Sequence, residues 1–421
     1  MLYLLSCSRF SRLKKRLAFC LILCFCGLAG FAKPGHGNVI KAKSKQWVGT
    51  WSTAQQLVQP NDMPPAPGLA NNTLRQVVCV SIGGDNMRLT LSNEYSKTPV
   101  TIKSVQIAAS TGGSSVDAKS NKGVRFNGKD EVIIEPGAVI ISDPVSFKLK
   151  PRMLVAITIA FGEMSPPTTG HPGSFTTSYI LPGTQTAPDA NYVNAVTTNH
   201  WYLIKGIDVE RSKPAAAVVV FGDSITDGVG SGNNKQNRWP DVLAMRLLNN
   251  AQTKNIGVLN MGIGGNRVLR GGAGPTALTR FNSDVLKMAG VKWLIILEGV
   301  NDIGGTRDST AAVNVADELI AAYDKMIADA HAKGIKVYGA TITPFNKSFY
   351  GRPYREVARN KVNTWIRTSG HFDAVIDLAK VTQDPADAST FLASAQMGDY
   401  LHPSELGYKM MGAAVDLALF K

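Results

Sequence analysis

Cysteine is scarce in this sequence. Five occur in 421 residues, and four of them (Cys7, Cys20, Cys24 and Cys26) fall within the first 32. Only Cys79 lies beyond, so a chain without that leading segment forms no internal disulfide and depends on packed cores. Past residue 32 no apolar run is long enough to span a membrane. Past residue 32 there is no C-x-x-C, and H-E-x-x-H, the P-loop and the G-x-S-x-G elbow are missing. Those absences lead to the expectation of no metal and no organic cofactor. Lys and Arg outnumber Asp and Glu, 45 to 31, but they are scattered among acids without an aromatic–basic alternation. No nucleic-acid partner is expected. The 40 Gly and 21 Pro follow no period, which excludes collagen-like and low-complexity chains.

What is present begins with a targeting segment. Arg9, Arg12, Lys14, Lys15 and Arg16 form a basic stretch, residues 17–32 are almost purely apolar, and Gly30 and Ala32 suit a cleavage site. The apolar run is shorter than the ~20 residues of a spanning helix. Residues 1–32 therefore read as a signal peptide, with a secreted or periplasmic product and no stable membrane association after cleavage. Bulky Leu23 and Phe25 before Cys24 and Cys26 argue against a lipid anchor. Loss of these five cations takes the net charge from +14 to +9, a solvated basic surface.

Residues 33–46, with Pro34, Gly35 and Gly37, read as a flexible tail. From 47 to 205 the pattern has period two: Met87, Leu89 and Leu91 alternate with polar residues, as do Val145, Phe147 and Leu149, and Val155, Ile157 and Ile159. Turn clusters such as Gly83-Gly84-Asp85-Asn86 separate the runs. This predicts an antiparallel β-sandwich domain. From 206 to 421 short apolar runs alternate with helical segments. Strands are expected at 215–221, 257–261, 293–297, 335–342 and 374–378. Helices are expected near 239–250, 277–288, 311–333, 353–368 and 404–419. The spacing predicts a doubly wound α/β domain with a five-stranded parallel sheet.

In such a sheet ligands bind beyond the carboxyl ends of the strands. That edge gathers Gly222-Asp223-Ser224, the Gly-rich run Gly262–Asn266, Asn301-Asp302, Thr343-Pro344 and the loop holding Asp399 and His402. The set suits acyl transfer. A serine hydroxyl needs a base to take its proton, and the base needs a third group to fix its tautomer. Ser224, His402 and Asp399 are the candidates. Of the six histidines, His36 lies in the tail, while His331 and His371 precede strands and sit at the wrong edge. His171 and His200 belong to the β half and reach the site only across an interface. Candidate oxyanion donors are the Asn301 side-chain amide and the backbone N–H groups of Gly265 and Ser224. Each residue alone is more commonly a cap, turn or solvated loop residue; their joint placement on one edge carries the reading. Asp223 and Asp302 read as structural hydrogen-bond partners.

Gly222-Asp223-Ser224-Ile225 resembles the first signature of the GDSL, or SGNH, hydrolases, a family named for a serine, a glycine, an asparagine and a histidine in separate blocks. Here the blocks fall in order at Ser224, Gly265, Asn301 in a Gly-x-Asn-Asp context, and His402 with Asp399 three residues earlier. The resemblance covers about 200 residues and implies a flavodoxin-like sheet, a Ser-His-Asp triad and ester hydrolysis. The Trp-Val-Gly-Thr-Trp start at 47–51 and the β-rich first half are similar, more loosely, to a two-domain secreted subgroup of acylhydrolases and arylesterases, some associated with xylan breakdown. Two departures stand out: Asn266 occupies a position where many relatives have Asp, and 393–397 lacks the expected acidic turn.

The expected activity is hydrolysis of short-chain, above all acetyl, carboxylic esters, on a small ester or an acetylated carbohydrate of plant type. The loops 222–234, 262–275 and 299–309 are rich in Gly, Asn and Asp rather than apolar side chains. Phe345, Phe349, Tyr350 and Tyr354 are candidates for stacking on a sugar ring or, equally, for packing under their loop. Two alternatives remain: a non-catalytic carbohydrate-binding or adhesion protein, and an acyltransferase that uses the same residues.

Overall fold

A computed structural model describes residues 45–212 and 214–421. The signal peptide read over 1–32, its four cysteines and the tail up to residue 44 lie outside the described residues. Cys79 is buried and free.

Period-two alternation becomes one-sided burial in the first half. In strand Gly84–Ser92, Met87, Leu89 and Leu91 are fully buried, while Arg88 and Thr90 face the other way and are partly exposed. This strand pairs with Ile204–Arg211 and Val145–Leu149 in a five-stranded antiparallel sheet that begins with Gln46–Ser52. A second, eight-stranded antiparallel sheet is centred on Asn72–Cys79, Leu154–Phe161 and Val100–Gly112. Gln46 already belongs to the first strand, and Ile204–Arg211 runs across the boundary expected at 205–206, carrying the antiparallel pairing on to Arg211.

The second half is a parallel sheet of β1 (Ala216–Gly222), β2 (Ile256–Gly262), β3 (Val291–Leu297), β4 (Lys336–Ala340) and β5 (Ala374–Ile376), in the order β2-β1-β3-β4-β5. Every residue of β1 is buried, as a central parallel strand covered on both faces requires. The helices used below are α1 (Ser224–Asp227), α2 (Trp239–Leu248), α3 (Ala277–Phe281), α4 (Val300–Gly304), α5 (Ser309–His331) and α6 (Pro353–Thr368). Two expected elements end early for local reasons. β5 stops at Ile376 because Asp377 accepts the Lys380 N–H and caps the next turn. The last helix, Glu405–Ala414, breaks at extended Val415, and Asp416 caps a separate turn, Leu417–Phe420. The helix expected at 277–288 is α3 followed by a wider turn, Asn282–Leu286.

The two halves share one apolar core and pack as one unit. β2 is an edge strand, and the β half covers it. The outward N–H of Val258 donates to Ser81 Oγ at 3.0 Å, which removes an exposed donor from that edge. Gly257 sits against the other half so closely that a Cβ there would lie 2.1 Å from the Gly49 carbonyl oxygen.

Candidate active site

Chain geometry at the end of β1 forces Ser224 into its place. A Cβ on Gly222 would lie 2.2 Å from Thr226 Oγ1, so only glycine permits the tight strand-to-helix turn. Asp223 then caps α1, its Oδ1 accepting the Ile225 N–H at 2.9 Å. Ser224 opens the helix, nearly buried, and its Oγ lies 2.9 Å from His402 Nε2.

The loop carrying His402 is built from its own side chains. Asp399 Oδ1 accepts the N–H groups of Leu401 and His402 at 3.0 and 2.9 Å, and its Oδ2 lies 2.6 Å from His402 Nδ1. Tyr400, between them, adopts φ +55°, a conformation compensated by Gln396 Oε1, which accepts the N–H of both Gly398 and Tyr400. The segment that lacks the expected acidic turn therefore supplies a neutral amide acceptor in its place. Partial burial pushes the Asp399 carboxyl up, but the His402 N–H, the imidazole and the Leu401 N–H outweigh it and hold it below the usual carboxylate range.

The sequence names three candidate oxyanion donors, and the structure shows what each is bonded to. The Ser224 N–H, at the first turn of α1, and the Gly265 N–H have no acceptor among the described residues. Gly265 holds φ +72°, and its carbonyl accepts the Ala273 N–H. Asn301, in α4, donates from Nδ2 to the Asn266 carbonyl at 2.8 Å and accepts the Tyr350 hydroxyl at Oδ1, 3.0 Å away. One Nδ2 hydrogen remains for a ligand. Asp302 takes the structural role expected of it, accepting the Val268 and Leu269 N–H groups.

Beneath this edge lies an arginine that the sequence does not single out. Arg280, in α3, is buried and donates to the carbonyls of Gly222 and Met261 at 3.0 and 2.6 Å and to Asn266 Oδ1 at 3.0 Å. Its guanidinium also lies 3.3 Å from both Asp284 and Glu298. It thus ties together the carboxyl ends of β1 and β2 and the residue that follows β3. Asn266, which departs from the family pattern, is the neutral acceptor for Arg280 Nε and donates to the Ala273 and Pro275 carbonyls. Burial pushes the Asp223 carboxyl up to about 7 against the pull of the Ile225 N–H. Burial and the neighbouring Asp223 push Glu298 well above the carboxylate range.

A recess of about 520 Å³ opens beside the site. Val229, whose N–H bonds the Ser224 carbonyl at 3.1 Å, and Gly264, next to Gly265, line it from the α/β half. Phe175, Asn199 and His200 line it from the β half. The aromatics considered for stacking divide. Phe345 is fully buried, Tyr350 is half-buried on Asn301, Tyr354 bonds the Arg307 carbonyl, and Phe349 is exposed. The contributions of the β half, of Tyr350 and of Arg280 carry no local sequence signal, since each depends on contacts far apart in the chain.

Residues 220–410 match the profile of the GDSL-like Lipase/Acylhydrolase family. No curated protein matches the chain. Among solved structures, the chain is similar to a member of the lipolytic protein G-D-S-L family from Veillonella parvula, at 21% identity over 48% of this chain and 96% of that one, with a TM-score of 0.36. It is similar to the lipase/acylhydrolase from Enterococcus faecalis at 22% identity, over 47% and 92%, TM-score 0.36. It is also similar to an acetyl xylan esterase from Geobacillus stearothermophilus at 20% identity, over 48% and 93%, TM-score 0.36.

Proposed function

We propose that the chain, whose residues 220–410 match the profile of the GDSL-like Lipase/Acylhydrolase family, is a serine esterase whose nucleophile is Ser224. The supporting observation is the continuous hydrogen-bonded series from Ser224 Oγ through His402 to Asp399, at 2.9 and 2.6 Å. In this reading His402 Nε2 takes the Ser224 proton as Oγ attacks the acyl carbon. Asp399 accepts the Nδ1 hydrogen and stabilises the imidazolium. The Ser224 and Gly265 N–H groups and the Asn301 amide receive the oxyanion. The tetrahedral species collapses, the alcohol leaves with the proton from His402, and an acyl-Ser224 remains. Water, deprotonated by His402, then attacks the acyl carbon and releases the acid. No metal or organic cofactor enters these steps.

For the substrate we propose a short acyl group, acetyl first, on a sugar or a similarly polar alcohol. Asn199 and His200 offer hydrogen-bond partners for a hydroxyl-bearing ring, and Phe175 a face to stack on, within a lining whose exposed surface is largely apolar. The basic and apolar leading segment supports a secreted or periplasmic enzyme that meets extracellular polymers. A chain-length series of p-nitrophenyl esters beside acetylated xylan tests the substrate. Preference for acetyl, with acetate released from the polymer, is the expected result. Preference for eight or more carbons with no acetate released would overturn the carbohydrate reading.

A further inference from the structure

His171 comes from the β half, yet it lies in contact with the helix that carries Ser224. It is almost fully buried, and so is its partner Asp227, the last residue of α1. Nδ1 lies 2.8 Å from the Ala54 carbonyl and Nε2 lies 2.9 Å from Asp227 Oδ1. A carbonyl only accepts, so Nδ1 carries a hydrogen, and the Nε2–Oδ1 contact requires a second proton between its two atoms. Trp201 stacks on the ring at 5.9 Å between centroids and is braced edge-on by Trp51. The imidazole therefore has one orientation.

The other oxygen of Asp227 has a different task. Oδ2 accepts the Gly264 N–H at 2.9 Å, immediately before Gly265 with its unpaired N–H. One carboxylate thus joins the helix of Ser224 to the turn of Gly265. Its neighbours approach closely where they are glycine. A Cβ on Gly173 would lie 2.0 Å from Oδ2, and one on Gly262 would lie 2.2 Å from the Asp227 backbone nitrogen. The rotation of the carboxylate, and with it the Gly264 N–H, is set by where His171 holds Oδ1.

We propose that His171 is a positioning residue for the esterase centre: by fixing Asp227 it holds the Gly264-Gly265 turn so that the Gly265 N–H points at the oxyanion. This rests on the reading of Ser224 as nucleophile. It makes the β half part of the catalytic apparatus rather than a neighbour of it. A pair serving only to glue the halves together would have no effect on the Gly265 donor.

The test measures kcat and KM on p-nitrophenyl acetate, the Ki of a short trifluoromethyl ketone that forms an oxyanion on the serine, and thermal stability. The variants are His171→Ala, His171→Gln, Asp227→Ala and the double alanine variant. In the two single alanine variants kcat should fall about tenfold or more, part of the effect of a full oxyanion donor, with KM within about twofold. The ketone Ki should rise by the same factor. The double variant should be no worse than the poorer single one, because both act through one link. His171→Gln, which keeps a donor toward Asp227, should recover part of the loss, and it carries the test if the alanine variants do not fold. Lower stability with unchanged kcat and ketone Ki in the folded protein would overturn the proposal. Ser224→Ala, run alongside, separates the two readings. If it is inactive while the His171 variants keep full kcat, only the role of His171 fails. If it is fully active, the nucleophile assignment itself fails.

Discussion

Tyr350 donates its hydroxyl hydrogen to Oδ1 of Asn301 at 3.0 Å, and this decides which end of the Asn301 amide can face a reacting carbonyl. With Oδ1 occupied and Nδ2 already bound to the Asn266 carbonyl, the amide cannot rotate end over end without losing both bonds. The remaining Nδ2 hydrogen is the one available to an oxyanion. Asn301→Ala should therefore lower kcat by roughly 10²–10³. Tyr350→Phe, which removes one neutral hydrogen bond worth about 1 kcal/mol, should lower it by up to about tenfold. Steady-state kinetics on p-nitrophenyl acetate checks both; a Tyr350→Phe enzyme worse than Asn301→Ala would assign Tyr350 a different role.

The pH profile follows from the state of Asp399. Its hydrogen bonds hold the carboxyl below the usual range, so it stays ionised as the medium is acidified. Loss of activity in acid then does not come from Asp399; a protonated His402 cannot act as base. Activity should rise with pH. Activity that stayed flat as the medium is acidified would contradict the role of His402 as base.

Asp223 gives a stability prediction of definite sign. Its folded carboxyl is raised to about 7 by burial, above the unfolded value of about 3.9. Between these values the folded state binds the proton more tightly, so this contribution is present at low pH and is lost as pH rises through about 7. Asp223→Asn keeps a cap for α1 and removes the titration. The fall in Tm between pH 5 and pH 8 should be smaller in this variant than in the wild type. An equal or larger fall would contradict it.

Arg280 predicts a structural dependence beneath the site. Replacing it with Met takes the nearer cation from Asp284, leaving Lys205 Nζ at 3.7 Å, and unties the Gly222 and Met261 carbonyls. Breaking a buried ion pair from one side costs about 3–5 kcal/mol. Urea denaturation of Arg280→Met should show a loss of that size, and a loss below about 1 kcal/mol would contradict it.

The legible parts of this protein are those whose signal is local. Period-two burial in Gly84–Ser92 and the continuous apolar run of β1 follow from side-chain alternation and from burial on both faces. Asp399 and His402 are three residues apart, so their contact is a property of one turn. Ser224 follows a strand and opens a helix, a sequence pattern in itself. The contacts from His171 to Asp227, 56 residues on, and from Tyr350 to Asn301, 49 residues back, are set only by tertiary packing. Arg280 sits at a helical position where a sequence reading expects a solvated cation, and only the fold shows it buried over Phe221. The helix expected at 277–288 divides within this same segment.

The account rests most directly on Ser224, and turnover of p-nitrophenyl acetate by Ser224→Ala beside the wild type tests it. The hydroxyl is the only group altered, and the turn around it is fixed by Gly222 and Asp223, so the variant should keep the wild-type circular dichroism and Tm. The wild type should turn over the ester, and the variant should retain only the residual activity of an oxyanion site without its nucleophile, roughly 10⁴-fold or more below it. A folded Ser224→Ala protein with wild-type turnover would contradict the assignment of the nucleophile and with it the mechanism.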